Sequence, residues 1–403
     1  MSIQSEPISV NRARKLISET VRTLLPVVLD TDKSIARVLA EDIISPIDSP
    51  LFNSSTRDGY ALRYEDIRIS APLRVEGTIK AGSYSGRPLK TGEAVRIYTG
   101  APLPEGADTV VMQEYTDVKL NRLRITSKNI CPGDYINKRG SQIKKGAVAL
   151  KQGTALIPAA IGYLSALGVK KVRVYQQPCI SIIITGDEFS NKNGSLKEGM
   201  IFESSSAMIA AALQYIHFKG ASKIYYCKDH PARLLSLIRK VLPSSDMLIT
   251  TGGVSAGKYD YLTKVFEKAG VKRLFHKIRQ APGKPLYFGK HNDKPVFGLP
   301  GNPASSLVCF YEYVYPAIRQ MSGFSNTMPG ILHLPVTAAF KKKRNMSRFL
   351  KASTDFNTVS ILPNQESHYL NSFAQANCLV YLNDKVSGIK KGQAVEVHLI
   401  HLF

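Results

Sequence analysis

The chain has no tryptophan, only five cysteines and no apolar run long enough to cross a membrane. The cysteines Cys131, Cys179, Cys227, Cys309 and Cys378 are odd in number, scattered and never spaced C-x-x-C, which argues against a disulfide framework and a thiolate zinc site. The longest apolar stretches, such as Leu24–Leu29, fall far short of the ~20 residues of a membrane helix. The first residues carry charge early and show no secretory h-region. These absences point to a soluble protein of a reducing, cytoplasmic compartment. Acidic residues are also scarce: 31 Asp and Glu against 54 Lys and Arg leave a net charge of +23. That surplus suits an anionic substrate or a polyanion and does not choose between them. The eight histidines form no metal-ligand spacing, and His398 and His401 near the chain end read as surface residues.

With 403 residues, ~150 residues per domain predicts roughly two to three domains. The first ~45 residues read as helical, with Leu16, Ile17, Val21, Leu24 and Leu25 near helical spacing. From Pro50 to about Asp134, short β-branched runs separated by Gly and Pro predict a β-rich domain. The apolar stretch Ala155 to Leu167 predicts a helix that packs back near the first, making the β-rich part an insertion. From Lys171 to about Gly323 strand-like and helix-like segments alternate, which predicts a doubly wound, mostly parallel sheet with helices on both faces. The last ~75 residues return to short strands and turns. The fold class is therefore a multidomain α/β plus β protein. Its expected parts are an elongated linker domain (1–47 and 137–174), an inserted β-rich domain (48–136), an α/β domain (175–326) and a C-terminal β-domain (327–403). The basic blocks Lys341–Arg344 and Lys390–Lys391 are short and lack interleaved aromatics, so they read as solvated turns and predict no nucleic-acid partner.

Four places concentrate chemistry. Ile182–Gly186 runs into Asp187 and Glu188, which are either carboxylates at a strand's carboxyl end, able to hold a cation, or the acids of a helix start. The run from Asp246 to Gly257 is a strand entering a glycine-rich turn, where Gly252, Gly253 and Ser255 could cradle phosphate; a plain turn is the alternative. Pro300-Gly301-Asn302-Pro303 stiffens the entry of a long helix over Ala304–Met321. Asn53 to Ala61 crowds hydroxyls, an amide and an acid into one polar segment.

Taken in order, SSTRDGYA, IYTGAPLPEGADTVVMQE, INKRG, ITGDEF, DMLITTGGVSAGKYDY, APGKP and GLPGNPASS resemble the molybdopterin molybdenumtransferase family, and the chain is similar to the E domain of gephyrin. The resemblance covers essentially the whole sequence. It implies an elongated homodimer whose inserted β-domain reaches toward the partner's α/β domain. It also implies a reaction in which adenylylated molybdopterin, molybdate and Mg²⁺ yield the molybdenum cofactor and AMP. The molybdopterin adenylyltransferase is the implied further partner. A pterin-binding paralogue or scaffold without turnover is the competing function.

Carried over by position, the site residues are Asp58, Thr99, Glu188, Asp246, Asp260, Lys277, Pro300 and Pro303, with Lys284 of APGKP beside the substrate. Glu188 and Asp246 are the implied Mg²⁺ ligands. The chain departs from the family at Asn53, at Ser141 and Gln142, at Glu203-Ser204-Ser205, and at Ala281, where a lysine is usual. If the chain from Lys277 to Ala281 is extended, Arg279 shares a face with both and is expected to replace that lysine in the molybdate pocket.

Overall fold

The computed structural model describes residues 6–68, 71–84, 86–127, 129–190, 196, 198–253, 261–328, 330–342 and 345–400. Ser255, Asp260 and His401 lie outside the described residues. The chain separates into two compact units, one of Leu29–Ile35 and Glu41–Val172, the other of Met1–Val28, Ala36–Ala40 and Arg173–Phe403.

The smaller unit is built on a six-stranded sheet. In order across it run Thr109–Met112, Gly59–Leu62, Glu93–Ile97, Leu73–Ile79, Arg122–Ile125 and Thr116–Lys119. Both faces are covered, Ala61, Val95 and Val110 on one side and Tyr60, Leu62 and Val111 on the other. This explains a strand, Gly59–Leu62, that is apolar throughout. Gly59 is obligatory there: a Cβ would sit 2.0 Å from the Val111 carbonyl oxygen.

In the larger unit the first helix, α1, spans Val10–Thr20 and is capped by Ser9, whose Oγ accepts from the Arg12 amide. The expected helical reading of the first ~45 residues ends here. Val21 is already extended, and Pro26 opens a β-branched strand, Pro26–Asp30. Val10, Ala13 and Ile17 belong to the core of the larger unit. The helix Pro158–Ala166 belongs to the smaller unit.

The central sheet follows the expected alternation: β1 (Ile180–Thr185), α2 (Ser205–Tyr215), β2 (Ser222–Cys227), α3 (Pro231–Val241), β3 (Met247–Thr251), α4 (Leu262–Lys268), β4 (Lys272–His276), β5 (Tyr287–His291), β6 (Lys294–Leu299), α5 (Pro303–Cys309) and α6 (Tyr315–Met321). The sheet order is β2-β1-β3-β6-β5-β4; β2, β1, β3 and β6 are parallel, and β5 and β4 form an antiparallel edge. Every β1 and β3 residue is buried, as expected of strands covered on both faces. The chain leaves β1 for β2 on one side and returns to β3 on the other, so the topological switch point lies between β1 and β3. The expected single helix over Ala304–Met321 is interrupted by a π turn at Phe310–Val314. Pro316 has no N–H to donate to the Glu312 carbonyl, and the widened turn absorbs that loss.

A second sheet follows, with β7 (Ile331–Pro335), β8 (Ser347–Thr354), β9 (Cys378–Leu382) and β10 (Ala394–Leu399) in the order β8-β9-β10-β7, and with Gln280–Ala281 added in parallel at the outer edge of β8. Leu350, Val380 and Val397 form its own core. Phe349 and Tyr381 join the α/β core.

His398 on β10 shares that second face and corrects the expectation of a surface residue: it is fully buried. Its Nδ1 lies 2.8 Å from Glu312 Oε1 and its Nε2 2.8 Å from Glu396 Oε1. Arg14 of α1 also binds Glu312. Burial acts to lower the imidazole pKa, but the Glu312 carboxylate outweighs it and pushes the ring up to about 9. A folded-state value above the usual 6.5 stabilises fully below that pH and is lost as pH rises through about 9. The thermal midpoint should therefore fall between about pH 6.5 and 9 more steeply in the wild type than in His398→Gln, measured by calorimetry across pH.

Candidate functional site

A cavity of about 490 Å³ opens at the carboxyl ends of β1, β3 and β6, where the switch point places it. Residues 186–190, which follow β1, are not helical, and the next described helix starts at Ser205. Asp187 and Glu188 are therefore not helix-start acids. Glu188 lines the cavity. Its carboxylate folds over Gly186, where a Cβ would lie 2.5 Å from Glu188 Oε2.

Gly252 and Gly253 follow β3 with φ of +87° and +63°. A Cβ on Gly252 would come within 2.6 Å of Thr185 O and Oγ1. Glycine is thus required both by the left-handed backbone and by the close approach of β1. The Pro300–Asn302 turn after β6 meets this turn, with the Gly301 Cβ position 3.3 Å from Gly252 Cα. Pro303 begins α5, and the Asn302 side chain accepts from the Ser305 amide at 3.4 Å. Pro300 lines the cavity; Pro303 shapes the turn behind it.

The second acid in the cavity is Asp229, two residues beyond β2. Sequence reasoning missed it, although an acid just past the strand-like Lys223–Tyr226 obeys the rule that singled out Glu188. Parallel pairing of Thr185 with Cys227 brings the two strand ends level. Asp229 accepts from the Tyr261 hydroxyl through Oδ1 at 2.6 Å, and its own amide donates to Asp187 Oδ1 at 3.2 Å. Burial, reinforced by Asp229, holds the Tyr261 phenol far above its usual pKa, so it remains a donor.

Asp246 does not join them. It precedes β3, half-buried, and its Oδ2 accepts from the Cys179 amide at 2.7 Å. Six residues at ~3.3 Å each put it roughly 20 Å from Gly252, at the amino end of β3. Glu188 and Asp246 cannot share a cation, which corrects that expected pair.

The expected alignment of Lys277, Arg279 and Ala281 is not found either. Lys277 is left-handed (φ +76°), so the extended run needed to align Lys277, Arg279 and Ala281 is broken. Arg279 is exposed; its amide donates to Ile8 O and its carbonyl accepts from Ser347. Gln280, Ala281 and Lys284 line the cavity, and Lys277 and Arg279 do not. Among the described residues that line it, the cation is Lys284. A second cavity of about 570 Å³, bordered by Lys341, Arg348 and His368, shares Ala281, Pro282 and Ser367 with the first.

In the smaller unit, Gly59 pairs with Ile97, which brings the residues flanking those strands together. Asp58 Oδ1 accepts from the Thr99 amide and hydroxyl, each at 2.8 Å. The amide bond foremost, then the hydroxyl, holds the Asp58 carboxyl below its usual pKa. Where the family's acids are replaced, the side chains make local bonds: Asn53 Oδ1 accepts from Arg139 N at 2.9 Å, Ser141 Oγ donates to Asn137 Oδ1, and Gln142 Oε1 accepts from Ser49 Oγ. Glu203 accepts from the Ser206 amide and hydroxyl in the first turn of α2.

Among the described residues, no group of three or more His, Cys, Asp or Glu side chains could hold a metal ion, and no helix is long and apolar enough to cross a membrane. Comparison with known proteins agrees along the whole chain. Residues 8–168 match the family described as MoeA N-terminal region (domain I and II), 181–320 the probable molybdopterin binding domain, and 333–400 the MoeA C-terminal region (domain IV). A molybdopterin molybdenumtransferase of Staphylococcus aureus is 32% identical over 98% of this chain and 96% of its own length. One from Staphylococcus epidermidis is 32% identical over 99% and 97%. A crystal structure of a molybdopterin biosynthesis MoeA protein from Pyrococcus horikoshii OT3 superposes with a TM-score of 0.85 at 27% identity, covering 98% of this chain and all of that one.

Proposed function

Because the chain belongs to the molybdopterin molybdenumtransferase family, an enzyme family of molybdenum cofactor biosynthesis, we propose that it inserts molybdenum from molybdate into adenylylated molybdopterin and releases AMP. The observation that carries this reading is one cavity at the β1/β3 switch point holding two carboxylates, a left-handed Gly-Gly turn and a lysine.

The phosphoanhydride is assigned to the Gly252–Gly253 turn, where the missing Cβ atoms let the backbone approach an anion. Glu188 and Asp229 would repel that phosphate on their own. Two carboxylates suit Mg²⁺, which commonly takes one or two from the protein and completes its shell with phosphate oxygens and water. When bound there, Mg²⁺ neutralises the phosphoanhydride and polarises phosphorus. Tyr261 fixes the Asp229 carboxylate by donating to its Oδ1, and Asp229 with Glu188 would hold the ion. Lys284 supplies the positive charge for the molybdate tetraoxyanion as it waits beside the dithiolene. Asp58, fixed by Thr99, and Asp260 remain assigned to the site through the family resemblance, as do the homodimer, the cytoplasmic setting and the adenylyltransferase partner.

Turnover tests the proposal. With adenylylated molybdopterin, Mg²⁺ and molybdate, AMP should appear together with molybdenum-loaded pterin. Retention of the nucleotide without AMP release would identify a pterin-binding protein instead.

A further inference from the structure

Lys351, in the middle of β8, is buried to 3% exposure. Its Nζ donates to three carbonyls of one loop, Asn364 O at 2.6 Å, Tyr369 O at 2.9 Å and Glu366 O at 3.2 Å. The same loop is tied to the same strand by an amide pair: Gln365 Oε1 accepts from Lys351 N at 2.9 Å, and Gln365 Nε2 donates to Lys351 O at 2.8 Å. Ser372 Oγ adds a bond to Pro363 O.

Burying an ammonium against neutral carbonyls is unfavourable compared with packing an apolar side chain there. Burial accordingly pushes the Lys351 pKa down, with Glu366 opposing. What the ammonium supplies is geometry: it draws the carbonyls of residues 364, 366 and 369 to one point and so fixes the turn between them. That turn carries Ser367 into the α/β cavity and carries Ser367 and His368 into the adjoining one. The strand that holds Lys351 also pairs, at Ser347 and Arg348, with Gln280–Ala281 of the cavity wall. One strand thus positions two walls of the oxyanion side of the cavity.

We propose that Lys351 is a positioning residue for oxyanion binding, acting through the Asn364–Tyr369 loop to present Ser367 beside Lys284. The inference rests on the reading of this cavity as the molybdate site and names the side chain that shapes it. Preorganised donors keep a binding geometry that a loose loop loses.

Tungstate binding to the full chain, measured by calorimetry, provides a readout independent of turnover. Lys351→Met should raise the tungstate Kd and the molybdate KM about tenfold, leave kcat at saturating molybdate within about threefold, and leave AMP binding unchanged. Lys351→Arg should restore tungstate binding to within about threefold, because the charge and the donors are kept. Should Lys351→Met fail to fold, Ser372→Ala loosens the same loop from outside the cavity and should raise the Kd about threefold. An unchanged tungstate Kd in the folded Lys351→Met or, failing that, in Ser372→Ala overturns the inference. So does a parallel loss of tungstate and AMP binding, which marks a general structural role. A wild type that binds tungstate but releases no AMP overturns the insertion reading alone, and the Kd series still judges Lys351. A wild type that binds no tungstate overturns both.

Discussion

Asp229→Ala and Glu188→Ala should each lower AMP release by about a thousandfold, while Asp246→Ala should keep turnover within a few-fold of wild type and unfold at a lower temperature. A thousandfold corresponds to ~4 kcal/mol of transition-state stabilisation, within what a metal-held phosphoryl centre supplies. Glu188 and Asp229 line one cavity, and removing either halves the carboxylate set available to the cation. Raising Mg²⁺ should recover part of the lost rate in each variant, since a weakened site fills at higher concentration. Asp246 holds the Cys179 amide at the far end of the sheet. Its loss leaves that donor unpaired, at about 1–3 kcal/mol. Single-turnover AMP release with and without excess Mg²⁺, beside thermal midpoints, separates the two roles. Equal loss of turnover in Asp246→Ala and Asp229→Ala would show that the sheet-end placement does not decide the metal site.

Lys284→Ala should raise the molybdate concentration for half-maximal turnover about tenfold or more, with Arg279→Ala within about twofold of wild type. The loss of one charge-assisted contact, ~1.5–3 kcal/mol, sets that scale. Lys284 lines the cavity, whereas the exposed Arg279 engages Ile8 and Ser347 through its backbone. Steady-state kinetics over a molybdate series measures both variants. A larger shift in Arg279→Ala than in Lys284→Ala would return the molybdate pocket to the Lys277–Ala281 segment.

The α/β alternation was legible because each strand is an apolar run bounded by turn residues, as at Ile180–Thr185 and Met247–Thr251. The Gly252–Gly253 turn was legible for the same local reason. Asp229 obeys the same rule as Glu188, an acid just past a strand-like run, and was overlooked; only its approach to Glu188 depends on the non-local pairing of Thr185 with Cys227. Asp246 was misplaced because the resemblance was followed over the local pattern: a strand that runs from Asp246 into the glycine turn already puts Asp246 at its amino end, away from the cavity. Arg279 failed on one backbone angle: the left-handed Lys277 turns the chain where alternation assumes it straight. His398 is invisible to a one-dimensional reading, since its burial needs β10 to lie against Phe349, Tyr381 and Glu312. Gly59–Leu62 was concealed by its polar neighbours in a four-residue strand.

The central claim places the cation and the oxyanion in one cavity at the β1/β3 switch point, and anomalous scattering tests it directly. Crystals grown with adenylylated molybdopterin, Mn²⁺ in place of Mg²⁺ and tungstate in place of molybdate should show a manganese peak between Glu188 and Asp229. They should also show a tungsten peak beside Lys284. A manganese peak at Asp246, or a tungsten peak at Arg279 with the cavity empty, would contradict the account.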